Sequence, residues 1–157
     1  MRFAHIYDII IIMINQIFES LVTIIDFFND PEQDKVLLKR VGNLNDKNLL
    51  PIVVRVGRQP EISVGELARQ LGKNHSSISR QVSKLEKKDI ISSLTHSEDK
   101  RIRMLTLASE GEVIYNNITE VRYQLLTELF SHLKEEEVVS IANSLDTLKK
   151  VLPIKNN

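Results

Sequence analysis

Apolar residues fill most of the first helix-length stretch of the chain. Between residues 6 and 28, four polar residues recur at spacings of seven, four and seven: Asp8, Asn15, Glu19 and Asp26. On a helix these positions form one narrow stripe, and most of the remaining circumference is apolar. The pattern predicts a long helix that is covered on several sides, either by the protein's own core or by a second subunit. Because a chain of 157 residues has few helices with which to cover it, the second subunit is favoured.

Two apolar series at helical spacing mark the last third of the chain: Ile114, Ile118, Val121, Leu125 and Leu129, then Val138, Ile141, Leu145, Leu148 and Leu152. The second series alternates by three and four, as in a coiled-coil seam. Such stripes usually face a protein's own core. Amphipathic helices at both chain ends are nevertheless what a helical dimerisation region needs, so the sequence predicts a homodimer.

The segment between the first helix and residue 60 is harder to divide. We expect a break at residues 29–35, around Pro31, and a short helical turn at residues 36–41. A further helix starts at residue 45 or 46 and runs to about Gly57. Pro51 lies within that helix, where it removes one backbone donor and should either kink the helix or delay its start.

Two short helices follow, joined by a glycine turn. Ser63 and Glu66 have the spacing of a capping box, in which each side chain satisfies a backbone N–H at the helix start. The apolar face of this helix is Leu67, Ala68 and Leu71. Gly72 supplies the left-handed residue that ends it, and Asn74 caps the next helix.

The second helix is polar on all but one narrow face. Only Ile78, Val82 and Leu85 are apolar, at i, i+4 and i+7, and no acid occurs before Glu86. Such a pair of helices is typical of a helix-turn-helix that lays its second helix in the DNA major groove, where Arg and Gln read guanine and adenine edges. The alternative is an ordinary surface helix of a helical hairpin.

A β-hairpin is predicted directly after this helix. Residues 90–95 are strand-like, residues 96–100 have turn composition, and residues 101–107 alternate as a returning strand. We interpret the hairpin as a wing with Lys100, Arg101 and Arg103 near its tip, placed for Arg to enter the minor groove. Ser109 and Glu112 then have the spacing of another capping box, at which the long helix resumes.

These motifs together resemble the MarR family of winged-helix transcriptional regulators over residues 60–115. The resemblance rests on Glu66-Leu67-Ala68, Leu71-Gly72, Ser79-Arg80, Val82, Leu85-Glu86, Asp99-Lys100-Arg101, Leu107 and Gly111. It implies one mainly α domain with a small β-wing, spanning residues 1–157. A winged helix-turn-helix at 46–108 would be flanked by N- and C-terminal dimerisation helices at 1–45 and 109–157.

The resemblance also implies a function and its residues. A dimeric repressor would read a pseudo-palindromic operator on double-stranded DNA, with Asp99 supporting Arg101 in the minor groove. Family members often release DNA on binding a small aromatic effector between the dimer and DNA-binding regions. The candidate DNA-binding residues are Asn74, His75, Ser76, Ser77, Ser79, Arg80, Gln81 and Lys84 in the recognition helix, and Asp99, Lys100, Arg101 and Arg103 in the wing.

Three positions depart from the family pattern. Asp89 stands where the family commonly has Gly, Ala108 stands where it has Thr, and Pro51 interrupts the helix before the motif. Asp tolerates the left-handed conformation, and Ser109 is expected to replace the missing cap. Pro51 is therefore the one departure for which the sequence offers no compensating residue, and it puts the helix that contains it in question.

The distribution of charge changes the picture that the total gives. The 21 basic and 21 acidic residues cancel, which alone argues against a nucleic-acid binder. Residues 63–103, however, carry nine basic and five acidic residues, whereas residues 1–62 carry seven and eight, and residues 104–157 carry five and eight. The basic excess thus coincides with the predicted helix-turn-helix and wing. A solvated basic face is the alternative to a negatively charged partner.

Enzymatic chemistry finds no support in the sequence. The chain has no Cys, and His5, His75, His96 and His132 lie at least 20 residues apart, without the spacing of a metal site. Three successive acids at residues 135–137 are explained by the dipole of the helix that they begin. We therefore predict no enzyme, no cofactor and no metal. The competing function is a winged-helix protein–protein adaptor, which would expose apolar anchors on its second helix.

The apolar N-terminal stretch also raises the question of a membrane segment. Its continuous run, residues 9–14, is shorter than the roughly 20 residues of a spanning helix. No small-residue cleavage site follows it, as one would in a signal peptide. The sequence predicts a cytoplasmic protein without a membrane partner.

Overall fold

The computed structural model describes residues 2–41, 49–95 and 102–152, with side chains from Ile9 onward. These residues form seven helices and three short strands: α1 (Arg2–Asn29), α2 (Pro31–Val41), α3 (Leu49–Arg58), β1 (Ile62–Ser63), α4 (Val64–Gln70), α5 (His75–Glu86), β2 (Ile91–Thr95), β3 (Arg103–Leu107), α6 (Ser109–Phe130) and α7 (Glu135–Val151). The predicted fold class, mainly α with a small β-wing, is confirmed.

The chain divides into two compact units, residues 1–115 and 116–157. The first unit has a core of almost completely buried apolar side chains: Ile52, Val53, Val56, Ile62, Leu67, Ile78, Val82 and Leu105. This core draws on α3, β1, α4, α5 and β3, so the two helices of the predicted motif and the wing share it. The domain boundaries expected near residues 45 and 109 stay predictions.

The three strands form one antiparallel sheet in the order β1-β3-β2. Ile62 pairs with Leu105 on one side of β3, and Ile91 pairs with Leu107 on the other. The ladder between β2 and β3 continues to the pair of Thr95 with Arg103. The two predicted wing strands are therefore confirmed, while their predicted turn and Arg101 lie outside the described residues.

Pro31 is the first residue of α2, so the break between α1 and α2 is short. α1 ends at Asn29 and α2 starts two residues later, so the predicted break over residues 29–35 is wrong for most of its length. The carboxylate of Asp30 accepts the Glu32 N–H at 2.9 Å, as an N-cap does. Proline suits the first helical position, where a backbone N–H has no intrahelical partner.

Helix α1 is confirmed as long and is exposed along its described length. Every side chain from Ile9 to Asn29 is exposed except that of Leu21, which is half-buried. Large apolar residues are included: Ile12 is 65% exposed and Phe18 is 61% exposed. In the described part of the chain, residues 9–29 form the one helix that could cross a membrane by length and composition, with a mean hydropathy of 1.8. The six-residue run therefore understates the apolar segment, although length and composition alone are weak evidence for a membrane helix.

Helix α3 contains Pro51 near the start of its described range. Pro51 is the third residue of the described helix, Leu49–Arg58. The side chains of Leu49, Leu50, Ile52, Val53 and Val56 are buried. The predicted start at residue 45 or 46 lies outside the described residues, so the predicted kink or delayed start at Pro51 stays a prediction.

The second unit contains α6 from residue 116 onward and the whole of α7. The backbone N–H of Lys134 donates to the Glu137 carboxylate at 2.8 Å, and three acids occupy the first turn of α7, where the helix dipole favours them. α7 has no buried residue. Four of the five residues of the predicted seam are exposed, with Leu145 48% exposed, and Leu148 is half-buried.

Candidate nucleic-acid interface

The first helix of the motif is capped by Ser63. Its hydroxyl accepts the Glu66 N–H at 3.1 Å, which confirms half of the predicted capping box. The other half is wrong, because the Glu66 carboxylate accepts hydrogen bonds from Arg69 and Gln70 on its own helix instead. The bonds from Arg69 and Gln70 lower the pKa of Glu66 to about 2.

The turn between the two helices has the predicted geometry. Gly72 has a φ of 60°, in the left-handed region that glycine adopts without strain. The side chain of Asn74 accepts the Ser77 N–H at 2.8 Å, and α5 begins with His75. The N-cap prediction for Asn74 is confirmed.

Helix α5 is fixed by one apolar face and presents a polar face. Ile78 and Val82 are completely buried and Leu85 is 5% exposed. Among the candidate DNA-binding residues, Asn74, His75, Ser76, Arg80 and Lys84 are exposed, and Ser77, Ser79 and Gln81 are half-buried. The three buried residues thus orient the helix so that its polar residues face away from the core.

Two of the candidates are engaged at the helix start. Asn74 is the cap, and the Ser76 hydroxyl donates to its side-chain oxygen at 3.1 Å. These bonds order the first turn of α5. A DNA contact by either residue stays a prediction.

Arg80 lies at the centre of the exposed face. Its Nε donates to the Ser76 carbonyl at 3.3 Å, one turn earlier on the same helix. This bond holds the side chain along the helix and leaves the two terminal nitrogen atoms at its outer end. Those atoms have the fork geometry that bidentate recognition of guanine requires.

Gln81 is less accessible than the sequence suggests. Its side-chain oxygen is buried and has no hydrogen-bond partner among the described residues. In this side-chain conformation the amide oxygen is therefore not available to accept from an adenine edge.

Arg103 is the one candidate wing residue that the structure describes; Asp99, Lys100 and Arg101 lie outside the described residues. Its guanidinium Nη2 donates to the Glu86 carboxylate at 2.6 Å and to the Ser93 hydroxyl at 3.1 Å. Ser93 in turn donates to the same carboxylate oxygen at 2.5 Å. Arg103 thus contacts the end of α5 and the neighbouring strand.

These contacts change the pKa of Glu86. Partial burial raises the pKa of Glu86, but the hydrogen bonds from Ser93 and Arg103 and the positive charge of Arg103 outweigh it, so the pKa lies below its ordinary value. The carboxylate is therefore charged and paired at neutral pH. One sequence signal could have found the pair: Glu86 is the last residue of α5, where the helix dipole disfavours an acid unless a cation is near.

Comparison with known proteins places this geometry in a family. The model of the MarR family matches residues 48–102. The HTH-type transcriptional regulator BilQ of Clostridium symbiosum is 30% identical over 102 residues, which are 65% of this chain and 71% of that protein. The chain belongs to the MarR family of transcriptional regulators.

Two further relatives of this MarR protein are informative. The HTH-type transcriptional repressor MdtR of Bacillus subtilis is 23% identical over 92 residues, which are 59% of each chain. The crystal structure of Streptococcus pneumoniae FabT in complex with DNA has a TM-score of 0.59 and 20% identity, covering 87% of this chain and 94% of that chain. That similarity shows the shared fold.

The departures from the MarR pattern have local explanations. Asp89 has a φ of 56°, so it occupies the left-handed conformation as expected. The expectation that Ser109 caps α6 is wrong, because Ser109 is already helical and the Ala108 carbonyl accepts the Glu112 N–H at 2.9 Å. The Asp89 carbonyl satisfies a first-turn donor instead, accepting the Glu110 N–H at 3.1 Å.

Asp89→Gly is expected to stabilise this MarR protein by about 0.5–1 kcal/mol, because glycine adopts the left-handed conformation without the strain of a Cβ. Thermal unfolding followed by circular dichroism should show a midpoint raised by roughly 2–4 °C. Lys88→Gly is the matched control. The φ of the neighbouring Lys88 is not positive, so glycine at this position should lower the stability of the protein. A lower midpoint for Asp89→Gly would contradict the strain at this residue.

Proposed function

We propose that this chain is a sequence-specific, DNA-binding transcriptional repressor that acts in the cytoplasm as a homodimer. Helix α5 enters the major groove, and the wing, with Asp99, Lys100 and Arg101, reaches the adjacent minor groove. Two copies bind a pseudo-palindromic operator whose half-sites lie one helical turn apart, about 34–36 Å. The winged helix-turn-helix comprises residues 46–108, between dimerisation helices at 1–45 and 109–157.

The observation that carries this proposal is the division of α5 into two faces. Ile78, Val82 and Leu85 hold the helix to the core, and the opposite side offers hydroxyl, imidazole, guanidinium and ammonium groups. Arg80 lies on that side, and its side chain is exposed. Hydrogen-bonding side chains on a protruding, firmly packed helix are what direct reading of base edges requires.

The adaptor function is disfavoured by the same face. The structure describes the whole of α5, and none of its large apolar residues is exposed. A helix that binds another protein usually exposes aromatic or large aliphatic side chains, which become buried in the interface. The nine basic residues between positions 63 and 103 favour a polyanion instead.

The homodimer is supported by surfaces on both units. α1 exposes Ile10, Ile17 and Ile24 opposite its polar stripe, and α7 exposes most of its apolar seam. Apolar surface of this extent on a monomer marks an interaction site. A second copy is the proposed occupant, because an isologous interface covers the same surface on both chains.

The repressor role and the effector rest on relatives. MdtR is named a repressor, and FabT, whose fold this chain shares, was solved with DNA. A small aromatic effector that releases DNA belongs to the proposal through the family resemblance. Binding assays with phenolic compounds in the presence of the operator test this part separately.

Footprinting on the DNA upstream of the protein's own coding region tests the proposal most directly. We expect two protected half-sites in pseudo-palindromic arrangement. Arg80→Ala should then weaken binding to that operator by about 1–3 kcal/mol and weaken binding to random DNA much less, because a bidentate base contact is lost. Titration by fluorescence anisotropy measures both affinities.

Lys84→Ala is the control for a non-specific contact. Loss of a phosphate-binding lysine weakens binding to every sequence alike and lowers the slope of log affinity against log salt by about one. Equal losses on operator and random DNA for Arg80→Ala would reassign Arg80 to phosphate contact. No protected site and no affinity for random DNA would reject the function.

A further inference from the structure

The Glu86, Ser93 and Arg103 side chains, called here the wing clamp, join three elements at one point. Glu86 ends α5, Ser93 lies in β2 and Arg103 begins β3. The Glu86 carboxylate accepts from both other side chains, and the Ser93 hydroxyl both donates to it and accepts from Arg103. Each donor and acceptor is used consistently, so the three side chains form a closed hydrogen-bonded triangle.

Strand geometry explains why Arg103 meets the helix. Side chains alternate between the two faces of a strand, so Arg103 shares a face with Leu105, which is completely buried. Ser93 pairs with Leu105 across the ladder and lies on that same face. The guanidinium is therefore directed toward the recognition helix.

The clamp lies at the last described pair of the wing ladder, Thr95 with Arg103. The following residues, 96–101, contain the three remaining candidates of the wing. A connection at this pair fixes the direction in which the hairpin leaves α5. The ion pair is partly shielded, with the Arg103 and Glu86 side chains 36% and 28% exposed, so solvent screens it less than a fully exposed pair.

We propose that Arg103 is a positioning residue that holds the wing at a set angle to the recognition helix through Glu86 and Ser93, and that it does not neutralise a DNA phosphate. This inference rests on the proposed function, since it assigns how one half of the DNA-binding surface is oriented. It also explains the acid at the C-terminal end of an otherwise basic helix.

The test compares Arg103→Ala, Glu86→Gln and the double variant on the operator fragment that footprinting defines. Each single variant should weaken operator binding about tenfold, as expected for the loss of a charge-assisted hydrogen bond at a half-exposed site. The double variant should bind no worse than Arg103→Ala, because both changes break the same triangle. Arg103→Lys should recover only part of the affinity, since a lysine keeps the charge but not the fork.

The salt dependence separates positioning from phosphate contact. The slope of log affinity against log salt should stay at the wild-type value for Arg103→Ala and fall by about one for Lys84→Ala. A slope that falls by about one for Arg103→Ala, with Glu86→Gln binding as well as wild type, would overturn the inference.

Hydrogen exchange on the DNA-free protein provides a readout that does not need DNA. Amides of β2 and β3 should exchange faster in both single variants, while those of α3 stay protected, which also shows that the variants are folded. Unchanged exchange in the wing would refute the clamp. If the wild-type protein binds no DNA but the wing loosens as expected, the proposed function fails and the clamp stands as an element of the fold.

Discussion

Gly111→Ala should lower the free energy of unfolding by about 3 kcal/mol or more, and the thermal midpoint by roughly 10 °C. A Cβ on Gly111 would lie 2.0 Å from the carbonyl oxygen of Ile90. That oxygen belongs to the backbone and accepts the Ala108 N–H at 3.0 Å, so moving it breaks a hydrogen bond. The first turn of α6 and the start of β2 therefore cannot both keep their places.

Gly65→Ala is the matched control for this experiment. Gly65 is also helical, but the nearest atoms to a Cβ there are 4.0 Å away. Alanine is the better helix former by about 1 kcal/mol, so Gly65→Ala should be neutral or stabilising. Equal effects of the two substitutions on the unfolding midpoint would show that helix propensity, and not the close approach, governs Gly111.

Ile17→Asp should dissociate the proposed dimer, raising its dissociation constant about a hundredfold or more. Ile17 lies opposite the polar stripe of α1 and is 53% exposed in the single chain. A symmetric dimer would bury two such carboxylates without partners, at a cost of several kcal/mol. Sedimentation equilibrium at micromolar concentration measures the shift from dimer to monomer, and operator binding should fall with it.

Asn15→Asp is the control, because Asn15 lies on the polar stripe and gains the same charge. It should leave the dimer intact. A wild-type monomer in solution would reject both the dimer and the paired half-sites. Co-sedimentation of that monomer with lipid vesicles would instead assign the apolar surface of α1 to a membrane.

Local signals were sufficient to predict the recognition helix. Asn74 as a cap, Gly72 in the turn and three apolar residues at i, i+4 and i+7 all act within one or two turns of α5. The start of α2 was also a local problem, but two readings of Pro31 compete there. Proline ends one helix and is favoured at the first position of the next, and the carboxylate of Asp30 decides between them.

Other features depend on residues that are distant in the sequence. The Asp89 carbonyl satisfies the Glu110 N–H, so the hydroxyl of Ser109 is not needed as a cap. Gly111 is in the motif from which the family was identified, yet only the folded chain shows that Ile90 requires it. The sequence placed Arg103 with the other basic residues of the wing tip, whereas pairing between β2 and β3 turns it toward Glu86.

The central place of β3 in the sheet has a consequence for how binding sites of this protein can vary. β1 leads directly into α4, β2 follows α5 closely, and both strands pair with β3. The two helices and the base of the wing are thus tied to one strand. In the proposed complex the offset between major-groove and minor-groove contacts is then constant, so inserting one base pair, about 3.4 Å, between them should abolish recognition of that half-site. Genomic sites would differ in flanking sequence, but hardly in the internal spacing of each half.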